Sequence, residues 1–153
     1  MAAEYPAIAT EKWHIDALAA RFVTHPQTFQ VVVASNLFGD ILTDIGGALQ
    51  GSLGIPPSAN FNPDPATRRG PALFEPVHGS APDIAGKGIA NPIGAIWSAS
   101  LMLDYLGEHE AGDHLLAAIE RTIAAGRVRT PDIGGDATTQ AVGAAIRETL
   151  RQA

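Results

Sequence analysis

Two aspartates four residues apart, Asp40 and Asp44, are the side chains whose type and spacing first suggest chemistry. They lie in Ser35–Gln50, read at about 100° per residue. Leu37, Phe38, Ile41, Leu42, Ile45, Ala48 and Leu49 then share one helical face, while Asp40, Thr43, Asp44 and Gly47 share the other. Like charges at i and i+4 repel, yet two carboxylates gathered on a polar face also make a half-site for a hard divalent cation, which takes oxygen ligands. A solvated acidic face explains the same pair. Ser35 or Asn36 can cap such a helix, and the helix dipole favours an acid at Asp40.

The second chemical stretch is the run from His78 to Asn91, His-Gly-Ser-Ala-Pro-Asp-Ile-Ala-Gly-Lys-Gly-Ile-Ala-Asn. Long, glycine-punctuated loops in compact domains are commonly binding loops. His78 titrates near neutrality and can act as a general base, or simply hydrogen-bond a ligand or a backbone carbonyl. Asp83, among amides freed by Gly79 and Gly86, can accept paired ribose hydroxyls or cap a helix. Asn91 reads as a helix cap with Pro92 at the first helical position. Gly86-Lys-Gly begins like a dinucleotide fingerprint but lacks the third glycine and a preceding strand. His109 and His114 are five residues apart, on different faces of a helix, so they lack the spacing of a zinc helix. Gly79-Ser80-Ala81 is not framed as a nucleophile elbow.

These residues need elements to hold them. Ile15, Leu18, Ala19 and Phe22 recur at helical spacing from Lys12 to His25, and Pro26 enforces a stop. Phe29–Ala34 is β-branched and predicts a buried strand feeding the helix that carries Asp40 and Asp44. Short strands are expected near Ser58–Phe61 and at Ala72–Glu75, in a region otherwise rich in breakers. A turn is expected at Thr67–Gly70. Pro92 to Leu106 predicts a central helix, apolar nearly all round with Trp97 in the core and Gly107 beyond its end. Further helices are expected at Ala111–Ala125, ending at Gly126, and at Thr138–Arg151. The segment Arg129-Thr-Pro-Asp-Ile-Gly-Gly between them reads as a linker. No repeat and no internal domain boundary is visible.

Composition bounds the function. The chain has 153 residues, 46% hydrophobic and 17% charged, which are globular values and enough for one domain with a core. A net charge of −6, with lysine only at Lys12 and Lys87, argues against nucleic-acid and anionic-membrane partners. Cysteine is absent, which removes disulfides, thiolate metal sites and a cysteine nucleophile. No apolar run approaches the roughly 20 residues of a membrane span, and the first residues lack signal-peptide order, so a cytoplasmic protein is expected.

The motifs Asn36-Leu-Phe-Gly-Asp-Ile-Leu-Thr-Asp44, Gly51-Ser-Leu-Gly-Ile55 and Leu73-Phe-Glu-Pro-Val-His-Gly-Ser-Ala-Pro-Asp-Ile-Ala-Gly-Lys-Gly-Ile-Ala-Asn-Pro92, preceded by Ile15-Asp-Ala17, stand in a telling order. That order resembles the metal-dependent β-decarboxylating dehydrogenases, the isopropylmalate and isocitrate dehydrogenase family. Ile93–Gly107 and Arg129–Gly135 look most like its tartrate and D-malate dehydrogenase branch. The resemblance covers essentially all of residues 1–153, as the C-terminal part of such a protein. It implies an α/β fold of the isopropylmalate dehydrogenase type, here helix-rich with a partial sheet. It also implies NAD-dependent oxidation of a small 2-hydroxy acid, then loss of the carboxylate β to the new ketone while Mg²⁺ or Mn²⁺ holds the enolate.

By position, Asp40 and Asp44 match the family's metal acids, and Asp16 the acid that reaches the neighbouring subunit's metal in a homodimer. Glu75, His78, Gly79, Ser80, Ala81, Asp83 and Asn91 match the cofactor loop. There the acid takes the adenosine ribose hydroxyls and favours NAD, since a ribose phosphate would meet the charge of Asp83. Family members are considerably longer. Most strands of their sheet, the substrate-binding arginines and the tyrosine and lysine acid and base have no counterpart here, so no catalytic residue is assigned. Alone, the chain is expected to turn over weakly or not at all, and its exposed helix faces to favour self-association. A non-catalytic nucleotide- or metal-binding module, and a helical interaction or dimerisation domain, are the alternatives.

Overall fold

The computed structural model describes residues 4–64 and 70–152; the turn expected at Thr67–Gly70 falls largely outside them. The chain gathers into two compact units, Met1–Gly46 and Gly47–Ala153, dividing inside one helix where the sequence shows no boundary.

In the first unit, α1 spans Ile15–Thr24, with Leu18 buried on the stripe that the spacing predicts. The His25 N–H closes it on the Arg21 carbonyl, and a short 3-10 turn at Pro26–Thr28 follows because proline cannot continue the helical ladder. Phe22 and Phe29 then meet at a tilt of 31° with 4.7 Å between ring centroids, and Arg21 lies over the Trp13 ring at 5.0 Å. The strand expected at Phe29–Ala34 does not form, since residues 31–35 carry no regular structure. Val31 and Val33 are 85% and 92% exposed, and no described segment pairs with them. A β-branched run supplies propensity, but a strand also needs an edge to hydrogen-bond, so the buried strand is a correction to the sequence reading. Helix α2, Asn36–Leu49, does follow as predicted, with Leu42 buried and Leu37, Phe38 and Ile41 left exposed.

The second unit places a two-stranded antiparallel sheet and three helices around one core. Strands β1, Pro57–Asn60, and β2, Leu73–Pro76, pair with Ser58 opposite Glu75 and Ala59 opposite Phe74. Helix α3, Ile93–Tyr105, packs against both strands and against α4, His109–Ala125; α4 packs in turn on α5, Thr139–Arg151. The buried cluster is Ile93, Ala118, Ile119, Val142 and Ile146, with Ile55, Ile96 and Trp97 against it. Phe61, Phe74 and Tyr105 form a second aromatic group, with Phe74 5.4 Å from the Tyr105 ring.

Close approach explains the glycines at Gly94, in α3 against the 54–56 segment, and at Gly112, where α4 meets α3. A Cβ at Gly94 would lie 3.1 Å from the Gly54 carbonyl and 3.3 Å from that of Pro56, and one at Gly112 would lie 3.1 Å from the Ser100 carbonyl. The Ser100 hydroxyl donates to the Gly112 carbonyl at 2.9 Å, so the small residues also let a buried hydroxyl find its acceptor. Gly126, at φ 64°, ends α4 in the left-handed conformation that glycine adopts without a Cβ penalty. Thr138 caps α5 by accepting the Ala141 N–H. Among the described residues, no helix is long and apolar enough to cross a membrane.

Candidate functional site

Helix α2 presents Asp40 and Asp44 one turn apart on its exposed polar face. The Asn36 side-chain amide donates to Asp40 Oδ2 at 3.2 Å, and the Thr43 hydroxyl donates to the Asp40 carbonyl at 3.0 Å. The Ser35 carbonyl accepts the Gly39 N–H at 2.8 Å and so joins the first turn. Asp16 stands in the first turn of α1, where its carboxylate accepts the Ala17 N–H at 2.8 Å. The three acids do not converge, and no three His, Asp or Glu side chains among the described residues form a metal-sized group. The pair is therefore two carboxylates, hard oxygen donors, one turn apart on one helix.

In the second unit, β2 carries Glu75 on its exposed face and delivers the chain into the 78–91 loop. His78 is exposed, and its Nδ1–H donates to the Gly79 carbonyl at 2.9 Å, one of the two uses its position suggests. Ala81 holds φ 42°, the single positive φ at a non-glycine among the described residues. Strain of that kind collects at binding sites, because surrounding contacts must hold it there. Two turns follow, from Ala81 to Ile84 and from Ile84 to Lys87, with Asp83 exposed in the first. Gly86 and Gly88 take φ 76° and 66°, so the Gly86-Lys-Gly segment makes turns and is no strand-to-helix phosphate loop. No heavy atom lies within 4 Å of a Cβ placed at Gly79, Gly86 or Gly88, which leaves the backbone open to an approaching molecule.

The far end of the loop is tied down. The Thr139 N–H and hydroxyl donate to the Gly88 and Ala90 carbonyls at 2.8 and 2.5 Å. Asn91 is only 8% exposed; its Oδ1 accepts the Ile93 N–H at 3.0 Å, capping α3 as its position before Pro92 predicts. Its Nδ2 donates to Asp132 Oδ2 at 3.0 Å. The Ser52 hydroxyl donates to the same oxygen, and the Gly54 N–H donates to Ser52 Oγ at 2.9 Å. Ser52 and Asp132 lie in motifs that the sequence shows, Gly51–Ile55 and Arg129–Gly135, but neither residue, nor Thr139, has a role legible there, and 129–135 reads as a linker. The available signal was Pro131-Asp132 followed by Gly134-Gly135, a one-turn helix with a left-handed exit at φ 78°.

Residues 1–146 match the family described as isocitrate/isopropylmalate dehydrogenase. The chain belongs to that family. It is 60% identical to the tartrate dehydrogenase/decarboxylase of Pseudomonas putida, covering 98% of this chain and 42% of that one. It is 58% identical to the decarboxylating D-malate dehydrogenase of Escherichia coli, covering 95% and 41%. The crystal structure of the Methylococcus capsulatus isocitrate dehydrogenase superposes with a TM-score of 0.90 at 44% identity, over 99% of this chain and 43% of the other. The chain thus spans about two fifths of the length of these isocitrate/isopropylmalate dehydrogenase relatives and corresponds to their carboxyl-terminal part.

The fold also alters the titration of Asp132. Partial burial alone would raise its pKa, but hydrogen bonds from Ser52 and Asn91 outweigh that and hold it below the ordinary carboxylate value. The Thr130 hydroxyl, buried nearby, lowers it as well. A lowered folded pKa adds stability above the unfolded value of about 3.9, lost as pH falls through the folded value. Urea midpoints measured from neutral pH downward are expected to fall in that acid window, and Asp132→Asn to remove this group's share of the slope.

Proposed function

We propose that this chain is the carboxyl-terminal share of an enzyme that oxidises and decarboxylates tartrate, D-malate or a related 2-hydroxy dicarboxylic acid with NAD and Mg²⁺ or Mn²⁺. The observation that carries the reading is the 78–91 loop. It is anchored at β2 and at the α3 cap, with Asp83 exposed in a turn and open backbone at Gly79, Gly86 and Gly88. Asp83 suits the paired hydroxyls of an adenosine ribose, which favours NAD over its 2′-phosphorylated relative. Asp40 and Asp44 suit a hard cation, being oxygen donors on one helix face with no nitrogen or sulfur ligand beside them. When bound, the dinucleotide accepts hydride and the cation polarises the substrate oxygens. The chain's own part is to hold both in place. Asp16, standing apart from the pair, serves the metal of a second subunit in a homodimer, and a cytoplasmic location accompanies this reading.

The test is titration of the chain with Mn²⁺ and NAD by calorimetry, then addition of D-malate or tartrate. NADH is expected only when a polypeptide supplying the missing acid and base is added, for which the amino-terminal portion of the Pseudomonas putida relative is suited. Binding heats with no NADH even then would favour a non-catalytic binding module. Absence of both heats would leave a helical interaction domain.

A further inference from the structure

The hydrogen bonds that fix the end of the nucleotide loop converge on Asp132, a residue to which its motif, Arg129–Gly135, assigns no role. We infer that Asp132 is a positioning residue for the dinucleotide: through the Asn91 side chain it holds Ala90-Asn91-Pro92 in the shape that receives the nucleotide. This rests on the reading of 78–91 as the nucleotide loop.

Three stretches distant in sequence meet at one carboxylate oxygen. Asp132 Oδ2 accepts from Ser52 Oγ and from Asn91 Nδ2, and these partners lie 80 and 41 positions away. Both polar ends of Asn91 are committed, because its Oδ1 accepts the Ile93 N–H. A flipped amide would set its NH₂ against that N–H and its oxygen against the Asp132 carboxylate, so the carboxylate fixes the rotamer as well as the location. Ser52 extends the constraint: its oxygen accepts the Gly54 N–H, and the Gly54 carbonyl accepts the Gly94 N–H at 2.9 Å. The fit is tight enough that a Cβ at Gly54 would come within 2.8 Å of Asn91 Cβ and 3.1 Å of Asp132 Oδ2. Thr139 holds Gly88 and Ala90 from the α5 side. The loop end is thus fixed by acceptors and donors outside the loop, and Asp132 alone supplies a charged one, the stronger kind.

Asp132 is partly exposed and stands apart from the buried Ile93–Ile146 cluster, so its loss need not unfold the unit. The test compares wild type, Asp132→Ala and Asp132→Asn by NAD calorimetry and residue-level hydrogen exchange. Asp132→Ala is expected to weaken NAD binding about tenfold or more, the loss that about 1.4 kcal/mol produces. It should also speed exchange at the Ile93 and Gly54 amides while those of α4 stay protected. Asp132→Asn, whose carbonyl can still accept from Ser52 and Asn91, is expected to restore most of the affinity. Unchanged NAD affinity in Asp132→Ala, despite faster exchange at Ile93 and Gly54, would overturn the inference and leave the nucleotide-loop reading intact. A wild-type chain that binds no NAD would instead overturn that reading, and the inference with it.

Discussion

Replacing Asp40 and Asp44 together by asparagine is expected to lower Mn²⁺ affinity by about 100-fold or more, since loss of mere supporting residues around a metal costs about 10- to 100-fold. The two carboxylates are exposed on one face of α2, one turn apart, and no other acid or histidine among the described residues completes a group with them. They supply all the negative charge of this half-site, and asparagine keeps the shape while removing it. Stability should move the opposite way. Like charges at i and i+4 destabilise a helix by roughly 0.2–0.5 kcal/mol, so the double variant should melt no earlier than wild type. Asn36, which now donates to Asp40, loses only a charged acceptor at the surface. Calorimetric Mn²⁺ titration beside a thermal melt therefore separates the two readings of the acids. Weaker binding with an unchanged or higher midpoint identifies a metal site; unchanged binding identifies a solvated face.

What the sequence disclosed of this fold follows from the range of the forces involved. α1, α2, α4 and α5 were legible because an apolar stripe repeats locally, and the caps of α3 at Asn91 and of α5 at Thr138 lie beside the helices they start. β1 and β2 were legible within a residue or two, since breakers bound them closely. Phe29–Ala34 misled because propensity is local and strand pairing is not; its valines face open space instead of a neighbouring strand. The candidate site divides along the same line. Asp40 and Asp44 announce themselves by spacing, and the His78–Asn91 run by its glycines. Asp132 does neither, because its partners are set by tertiary packing and leave no periodic trace. A cap residue explains itself through Ile93 two positions away, so nothing at Asn91 hints that its other end is also used.

Ile119→Ala is expected to cost the second unit about 2–5 kcal/mol, the range for removing a large aliphatic side chain from a packed core. Ile119 is 1% exposed on α4, which lies between α3 and α5, and it joins residues from all three helices in one cluster. Small domains hold only about 5–15 kcal/mol in total, so the loss should appear as a much lower melting midpoint by circular dichroism. The consequence for the site is indirect but definite. α5 carries Thr139, which anchors the Gly88 and Ala90 carbonyls, so a unit that opens releases the 78–91 loop with it. NAD affinity in this variant should fall only in proportion to the unfolded fraction, as for any ligand that binds one state of an equilibrium. Well below its midpoint, Ile119→Ala should bind NAD as wild type does, whereas Asp132→Ala should remain weak at every temperature at which it is folded. That divergence distinguishes a residue that keeps the unit closed from one that shapes the loop within it.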